Sequence, residues 1–216
     1  MSFMSMISDL FGGLAVSVQI FVYTLLIALP LGFVVALGRM SGNSIVSGVF
    51  RIFISVVRGT PLMLQIMFVY FAPYMLFGMP LAKYPRLLAT VLAFALNYAA
   101  YFAEIYRGGI LSIDRGQHEA AKALGMGKGW TFFKIILPQT IKRVIPAIGN
   151  EVITLVKDTS LAFTIAVTEM FTIAKQLSSS NTTMMPLIAA GVFYYVFNFI
   201  VAWSMERLEK HYGYYD

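Results

Sequence analysis

LAVSVQIFVYTLLIALPLGFVVAL, residues 14–37, contains no charged side chain from end to end. A helix rises ~1.5 Å per residue and needs about 20 apolar residues to cross hydrocarbon, so this run suffices for one crossing. Pro30 and Gly32 do not argue against it, because membrane helices tolerate both. It reads as a first span, residues 14–38, rather than a cleaved signal peptide: no basic region precedes it and no convincing cleavage site follows. Asp9 is the only charge upstream, whereas Arg39 and Arg51 lie downstream, which predicts an amino terminus outside.

Outward from that run the pattern repeats. The chain of 216 residues is 59% hydrophobic and 12% charged, against roughly 25% charge in an ordinary soluble domain. A water-soluble fold of this size would leave many of its long apolar runs exposed, so lipid is the expected solvent. Further runs at 46–76, 87–110, 144–167 and 186–206 predict an all-α integral membrane protein with five transmembrane helices. The second carries Arg58, Gly59, Thr60 and Pro61 partway along; the fourth is interrupted by Glu151, Lys157 and Asp158; the fifth is rich in aromatics and ends near Glu206, Arg207 and Lys210. Between the third and fourth, residues 111–143 hold Arg115, Lys122, Lys128, Lys134, Lys142 and Arg143 against Asp114 and Glu119. By the positive-inside bias this loop is cytoplasmic, and so is the carboxyl terminus. Lys83 and Arg86 on the outside weaken the bias without reversing it. The net charge of +6 thus belongs to the inner membrane face, and no nucleic-acid partner is implied.

Several chemistries are excluded. Cysteine is absent, which removes disulfide and thiolate chemistry. His118 and His211 have no second imidazole or carboxylate at ligand spacing, so no metal is expected. No converging nucleophile and base stand out, and no Gly-Lys-Ser/Thr phosphate loop is present, so the chain is not expected to be an enzyme or to bind a cofactor. Any energy source must come from a partner.

The loop has its own order. Residues 116–124 are good helix formers stopped by Gly125, a helix too short to stand alone in water. Ala120 and Ala121 are small enough for close approach to a groove, Glu119 can make a charge-assisted contact at its rim, and Pro138 fixes the backbone where Ile135, Ile136 and Leu137 lead to the next helix. The stretch GQHEAAKALGMGKGWTFFKIILPQTIKRVIPAIGNE, residues 116–151, resembles the EAA loop of ABC importer permeases, in particular the polar amino acid branch that takes histidine, glutamate, glutamine, arginine or opines. VVRGTPLMLQ at 56–65, NYAAYFAEIYRGGI at 97–110 and VKDTSLAF at 156–163 are similar to the same branch. The resemblance spans residues 13–208 and implies an ABC type-1 transmembrane domain with a cytoplasmic coupling loop at 111–143. It further implies ATPase coupling through Glu119, Ala120, Ala121, Gly125, Leu137 and Pro138. The implied partners are a like or similar permease forming a homodimer or heterodimer, two cytoplasmic ATPase subunits that bind ATP and Mg, and an extracytoplasmic amino-acid-binding protein. The implied location is the bacterial cell membrane.

Ionisable groups inside spans normally face a cavity or a partner. Asn97, Tyr101, Glu104 and Gly108 share a helical face that could line a polar path, although Glu104 and Arg107, three apart, could equally pair with each other. Arg58 either attracts a substrate carboxylate or holds the Gly59-Thr60-Pro61 break. Lys157 and Asp158 are adjacent and point about 100° apart, so each needs a partner elsewhere or a helix discontinuity. Two other readings remain: a secondary transporter, which would need embedded coupling residues and usually an inverted repeat, and a non-transporting scaffold, which would confine polar residues to helix ends. No convincing internal repeat is present.

Overall fold

The computed structural model describes residues 2–81 and 84–213, and all of the regular structure in them is helical. Lys83 lies outside the described residues. The long elements are α1 (Phe3–Arg39), α2 (Ser44–Gly59), α3 (Leu62–Phe77), α4 (Arg86–Leu111), α7 (Leu137–Asp158) and α9 (Met185–Tyr212). Shorter ones are α5 (Arg115–Ala123), α6 (Lys128–Thr131) and α8 (Met170–Ser180).

α1 and α4 form the centre because their facing residues are small. Ala28 and Ala36 of α1 are buried, as are Ala93, Ala99, Ala100 and Ala103 of α4. At Gly32 a β-carbon would lie 2.8 Å from Phe102 Cβ, closer than real β-carbon contacts come, and 3.0 Å from the Ala99 carbonyl oxygen, at the tight limit of such contacts. In lipid such close backbone approach supplies van der Waals packing that the hydrophobic effect cannot. Gly32→Val should therefore push the two helices apart and cost about 1–3 kcal/mol by overpacking. Gly12, which has open space around its absent side chain, is the control: thermal unfolding in detergent should shift for Gly32→Val and not for Gly12→Ala. Around this pair, Phe94, Tyr98, Phe102, Leu155, Val156 and Ile66 complete one core. A second cluster at the far end joins Met6 and Leu10 to Met170, Ala174 and Ala190.

Among the described residues three helices, Phe3–Arg39, Arg86–Leu111 and Met185–Tyr212, are long and apolar enough to cross a membrane, and a fourth crossing appears if the bent pair α2 and α3 counts as one. The sequence reading puts five such spans in the chain, and length and apolar character alone single out one fewer. The missing one is 144–167. Its helix runs instead over Leu137–Asp158, where Glu151, Lys157 and Asp158 dilute the apolar character, and the remainder is a 3-10 segment, Thr159–Ile165. The cause is local: Thr159, Ser160 and Thr164 each donate a side-chain hydroxyl to a carbonyl three residues back, at Val156, Lys157 and Leu161. Ala166 then turns the chain with φ +56.

The run at 46–76 is also not one straight helix. α2 and α3 meet at a 111° bend. Thr60 is extended because a proline follows, and Pro61 opens the next helix without needing an N–H. The first helix starts at Phe3, well before residue 14, and the connection at 168–185 contains α8, whose cap is Glu169.

The loop at 111–143 is largely helical. α5 ends in a Schellman motif: Gly125 has φ +72, its N–H donates to the Lys122 carbonyl, and the Met126 N–H donates to the Ala121 carbonyl. Only glycine adopts that φ without strain. From Lys128 to Asp158 the chain is a continuous helix that passes through a π turn at Phe132–Ile136. Pro138 explains the turn: it lacks an N–H and its ring crowds the preceding carbonyls, which the wider turn accommodates. Gln139 Nε2 and Thr140 Oγ1 donate to the Ile135 and Ile136 carbonyls there.

Candidate functional site

The bend between α2 and α3 is locked by one side chain. Gln65 Nε2 donates to the Val57 carbonyl at 2.7 Å and to the carbonyl and hydroxyl of Thr60 at 3.1 and 2.8 Å. These bonds occupy carbonyls that the end of α2 leaves without intrahelical partners. The Gln65 Oε1 in turn accepts from Asn97 Nδ2 at 3.0 Å, which ties the bend to α4. Asn97, 5% exposed, is thereby held within the bundle as a brace. Gln65→Leu should leave the Asn97 amide and the α2 carbonyls without partners and cost about 1–3 kcal/mol in unfolding measurements.

Next to this brace, α2, α4 and α7 bring polar groups together. Tyr98 donates its hydroxyl to Asp158 Oδ2 at 2.7 Å. The Tyr98 and Tyr101 rings lie 6.4 Å apart, and the Arg58 guanidinium carbon stands 5.0 Å from the Tyr101 ring centroid. Arg58 lies within electrostatic range of both Glu104 and Glu151, and Asp158 within range of Glu151. The structure therefore gathers Arg58, Tyr98, Tyr101, Glu151 and Asp158 into one cluster that contains both signs of charge. Glu104 adjoins it but is gripped at both carboxylate oxygens by Arg107, at 2.7 to 3.1 Å. Lys157 is exposed and lies beside Asp158, on which it acts electrostatically. The face shared by Asn97, Tyr101, Glu104 and Gly108 is thus divided between a brace, the cluster, an ion pair and an exposed glycine.

Gln65 and Tyr98 are the members that sequence reasoning left out. Both lie inside quoted motifs, VVRGTPLMLQ and NYAAYFAEIYRGGI, but neither is ionisable at neutral pH, so a search for intramembrane charge passes over them.

At the other end of α4, Asp114 Oδ1 accepts from the Gly116 N–H at 2.6 Å and starts α5. Glu119 and Ala120 are exposed, whereas Ala121 is 2% exposed and faces this chain's own interior. Of the two alanines, Ala120 is the one that lies open at the surface. Gly125 and Pro138 are exposed and Leu137 is half-buried. α7 is tied both to α5, where Gln139 Nε2 donates to Gln117 Oε1 at 3.4 Å, and to the end of α4, where Arg143 donates to the Ser112 carbonyl and hydroxyl. Among the described residues no group of His, Asp and Glu is arranged to hold a metal ion.

Residues 28–214 match the family described as the binding-protein-dependent transport system inner membrane component. The chain belongs to that family. The arginine transport system permease protein ArtQ of Bacillus subtilis (strain 168) is 39% identical over 199 residues, covering 92% of this chain and 90% of that one. The octopine transport system permease protein OccM of Rhizobium radiobacter is 40% identical over 214 residues, covering 93% and 84%. A chain in the crystal structure of an amino acid ABC transporter with histidines superposes with a TM-score of 0.87 at 32% identity, covering 98% and 99%. This permease is therefore the transmembrane component of an ABC-type polar amino acid importer. It is a transport subunit rather than an enzyme, and it works in a multi-subunit assembly with permease, ATPase and binding-protein partners.

Proposed function

We propose that the permease forms one half of a path for polar L-amino acids, closed by a second permease of the same or similar sequence. The observation that carries this reading is the cluster of Arg58, Tyr101, Tyr98, Glu151 and Asp158 at the meeting of α2, α4 and α7. A zwitterion needs a cation for its carboxylate and an anion for its ammonium, and the cluster supplies both. Asn97 supports the site from behind, and Lys157 and Glu104 set its electrostatic surroundings. α7 is the fifth crossing. Its charges are compatible with the bilayer because they face the path and not lipid, and non-ideal segments at membrane depth are tolerated when they line a cavity.

The amino terminus lies outside and the carboxyl terminus inside a bacterial cell membrane, with Arg115, Lys122, Lys128 and Lys134 on the cytoplasmic side. There α5 is the EAA coupling helix, presenting Glu119 and Ala120 to one of two ATPase subunits that bind ATP and Mg. Gly125, Leu137 and Pro138 shape the return of the chain to α7. An amino-acid-binding protein delivers solute outside. Closure of the ATPase pair favours one arrangement of the path over the other, and only that difference in affinity drives alternating access.

The test is uptake of radiolabelled amino acids by vesicles holding the complete complex, with and without ATP. ATP-dependent accumulation of a polar amino acid, insensitive to collapsing ion gradients, supports the reading. Accumulation driven by an ion gradient alone sinks it in favour of a secondary transporter.

A further inference from the structure

Glu169 has no part in the path, yet it is completely buried. A carboxylate is an expensive group to bury, and a serine would suffice to cap α8. Its two oxygens are fully used. Oε1 accepts from the Thr172 N–H and hydroxyl at 2.7 and 2.9 Å, and Oε2 accepts from the Phe171 N–H at 2.7 Å, the Tyr194 hydroxyl at 3.0 Å and the Ser17 hydroxyl at 3.4 Å. One side chain thus joins α8 to α9 and to α1. Ser17 adds a second tie by accepting from the Met170 N–H at 3.4 Å.

The stretch from Asp158 to Glu169 is tied to the rest of the bundle at several points. Asp158 is held by Tyr98. Midway, the carbonyl of Ala166, which sits at the unfavourable φ of +56, accepts from Arg86 Nη1 at 3.2 Å, and the same guanidinium reaches the Tyr70 hydroxyl through Nε. Backbone held in a sparsely populated region persists only where its surroundings over-determine it, and such points recur at switches. This stretch thus connects α8 to Asp158 through backbone that is held at both ends and at Ala166.

α8 is also placed to be displaced. Gly13 of α1 packs on Met170, while Gly38, at the other end of α1, packs on Phe50 of α2. α8 thus lies at the end of the bundle away from Arg39. Its open side borders a hollow of about 630 Å³ lined by Phe163, Ala166, Lys175, Gln176 and Ser179. Lys175 Nζ stands 5.1 Å from the Phe163 ring centroid, so a partner with acidic groups that entered the hollow would touch the 3-10 segment and α8 together.

We propose that Glu169 is a positioning residue that makes α8 and the 3-10 segment one rigid outer platform, through which docking of the solute-loaded binding protein reaches the path at Asp158. This rests on the importer reading above. The test measures ATP hydrolysis by the complete complex in vesicles, with and without saturating solute-loaded binding protein, for wild type, Glu169→Gln and Tyr194→Phe. Glutamine keeps the size of the side chain but replaces one acceptor oxygen with a donor. The expected result is a basal rate in Glu169→Gln within about twofold of wild type and stimulation by the binding protein reduced about tenfold, with a smaller loss in Tyr194→Phe. Stimulation equal to wild type in an assembled Glu169→Gln complex overturns the inference, as does a proportional fall of basal and stimulated rates, which is what general damage produces. If Glu169→Gln does not assemble, Tyr194→Phe decides, because it leaves the backbone cap of α8 intact: unchanged stimulation overturns the inference. A wild-type complex that no binding protein stimulates overturns the importer reading and this inference together, whereas a stimulated wild type with an equally stimulated variant overturns this inference alone.

Discussion

Asp158→Asn is expected to weaken uptake of amino acids about 10- to 100-fold while leaving the permease folded and assembled. A hydrogen bond to a charged group contributes about 1.5–3 kcal/mol, and each 1.4 kcal/mol is a factor of ten. Asparagine keeps the shape of the side chain and an oxygen for the Tyr98 hydroxyl, which donates to Asp158 Oδ2 at 2.7 Å, so what is removed is the negative charge. The loss should therefore fall on the concentration dependence of uptake more than on the basal rate of ATP hydrolysis. Tyr98→Phe separates the two roles of the pair. If Asp158 meets the solute directly, losing the phenol hydroxyl frees the carboxylate and the effect on uptake is small. If Asp158 only anchors Tyr98, Tyr98→Phe gives the larger loss, because asparagine still accepts from the phenol hydroxyl. Uptake in Asp158→Asn equal to wild type at every solute concentration would remove Asp158 from the path and leave it as a stop for α7.

The parts of this molecule that a linear reading captures are those governed by local rules. A run without charge at 14–37 predicts a helix in lipid wherever it sits in the chain, and a glycine after nine helix-forming residues predicts the left-handed turn seen at Gly125. Breaks were harder to read. Thr60-Pro61 is visible as a disruption, but its 111° angle depends on Gln65 reaching back to Val57 and across to Asn97, and that is a tertiary fact. Likewise the end of α7 at Asp158 follows from three hydroxyls bonding backward, a competition with the helix ladder that apolar counting over 144–167 ignores. The site itself was half legible. Charge inside a span singles out Arg58, Glu104, Lys157 and Asp158, but not which of them meet. Spacing placed Asn97, Tyr101 and Glu104 on one face, and the structure gives each a different neighbour. Glu169 reads as part of an external connection over 168–185 because that stretch has the polar composition of a surface loop, and only packing shows that α1 and α9 cover it.

Glu119→Lys is expected to abolish ATP-driven uptake by preventing the ATPase from gripping α5, with a fall in association of about 100-fold or more, because like charges juxtaposed across an interface cost several kcal/mol. The side chain is exposed on a helix whose ends are fixed independently, by Asp114 at its start and Gly125 at its end. Reversing its charge should therefore leave the helix, and the α7 contacts of Gln117 and Ser112, in place. That independence makes the experiment decisive. Far-ultraviolet circular dichroism and thermal unfolding of the purified permease should be unchanged, while co-purification of the ATPase and uptake should both be lost. Ala121→Leu is the informative contrast, since Ala121 is buried within the permease itself: the larger side chain should lower the thermal midpoint of the isolated chain before any partner is added. A Glu119→Lys permease that still retains its ATPase and still imports would show that α5 is a passive surface helix. The force on α7 would then have to enter elsewhere, and the continuous helix from Lys128 to Asp158 is the remaining rigid element that joins the cytoplasmic end of the permease to Glu151 and Asp158.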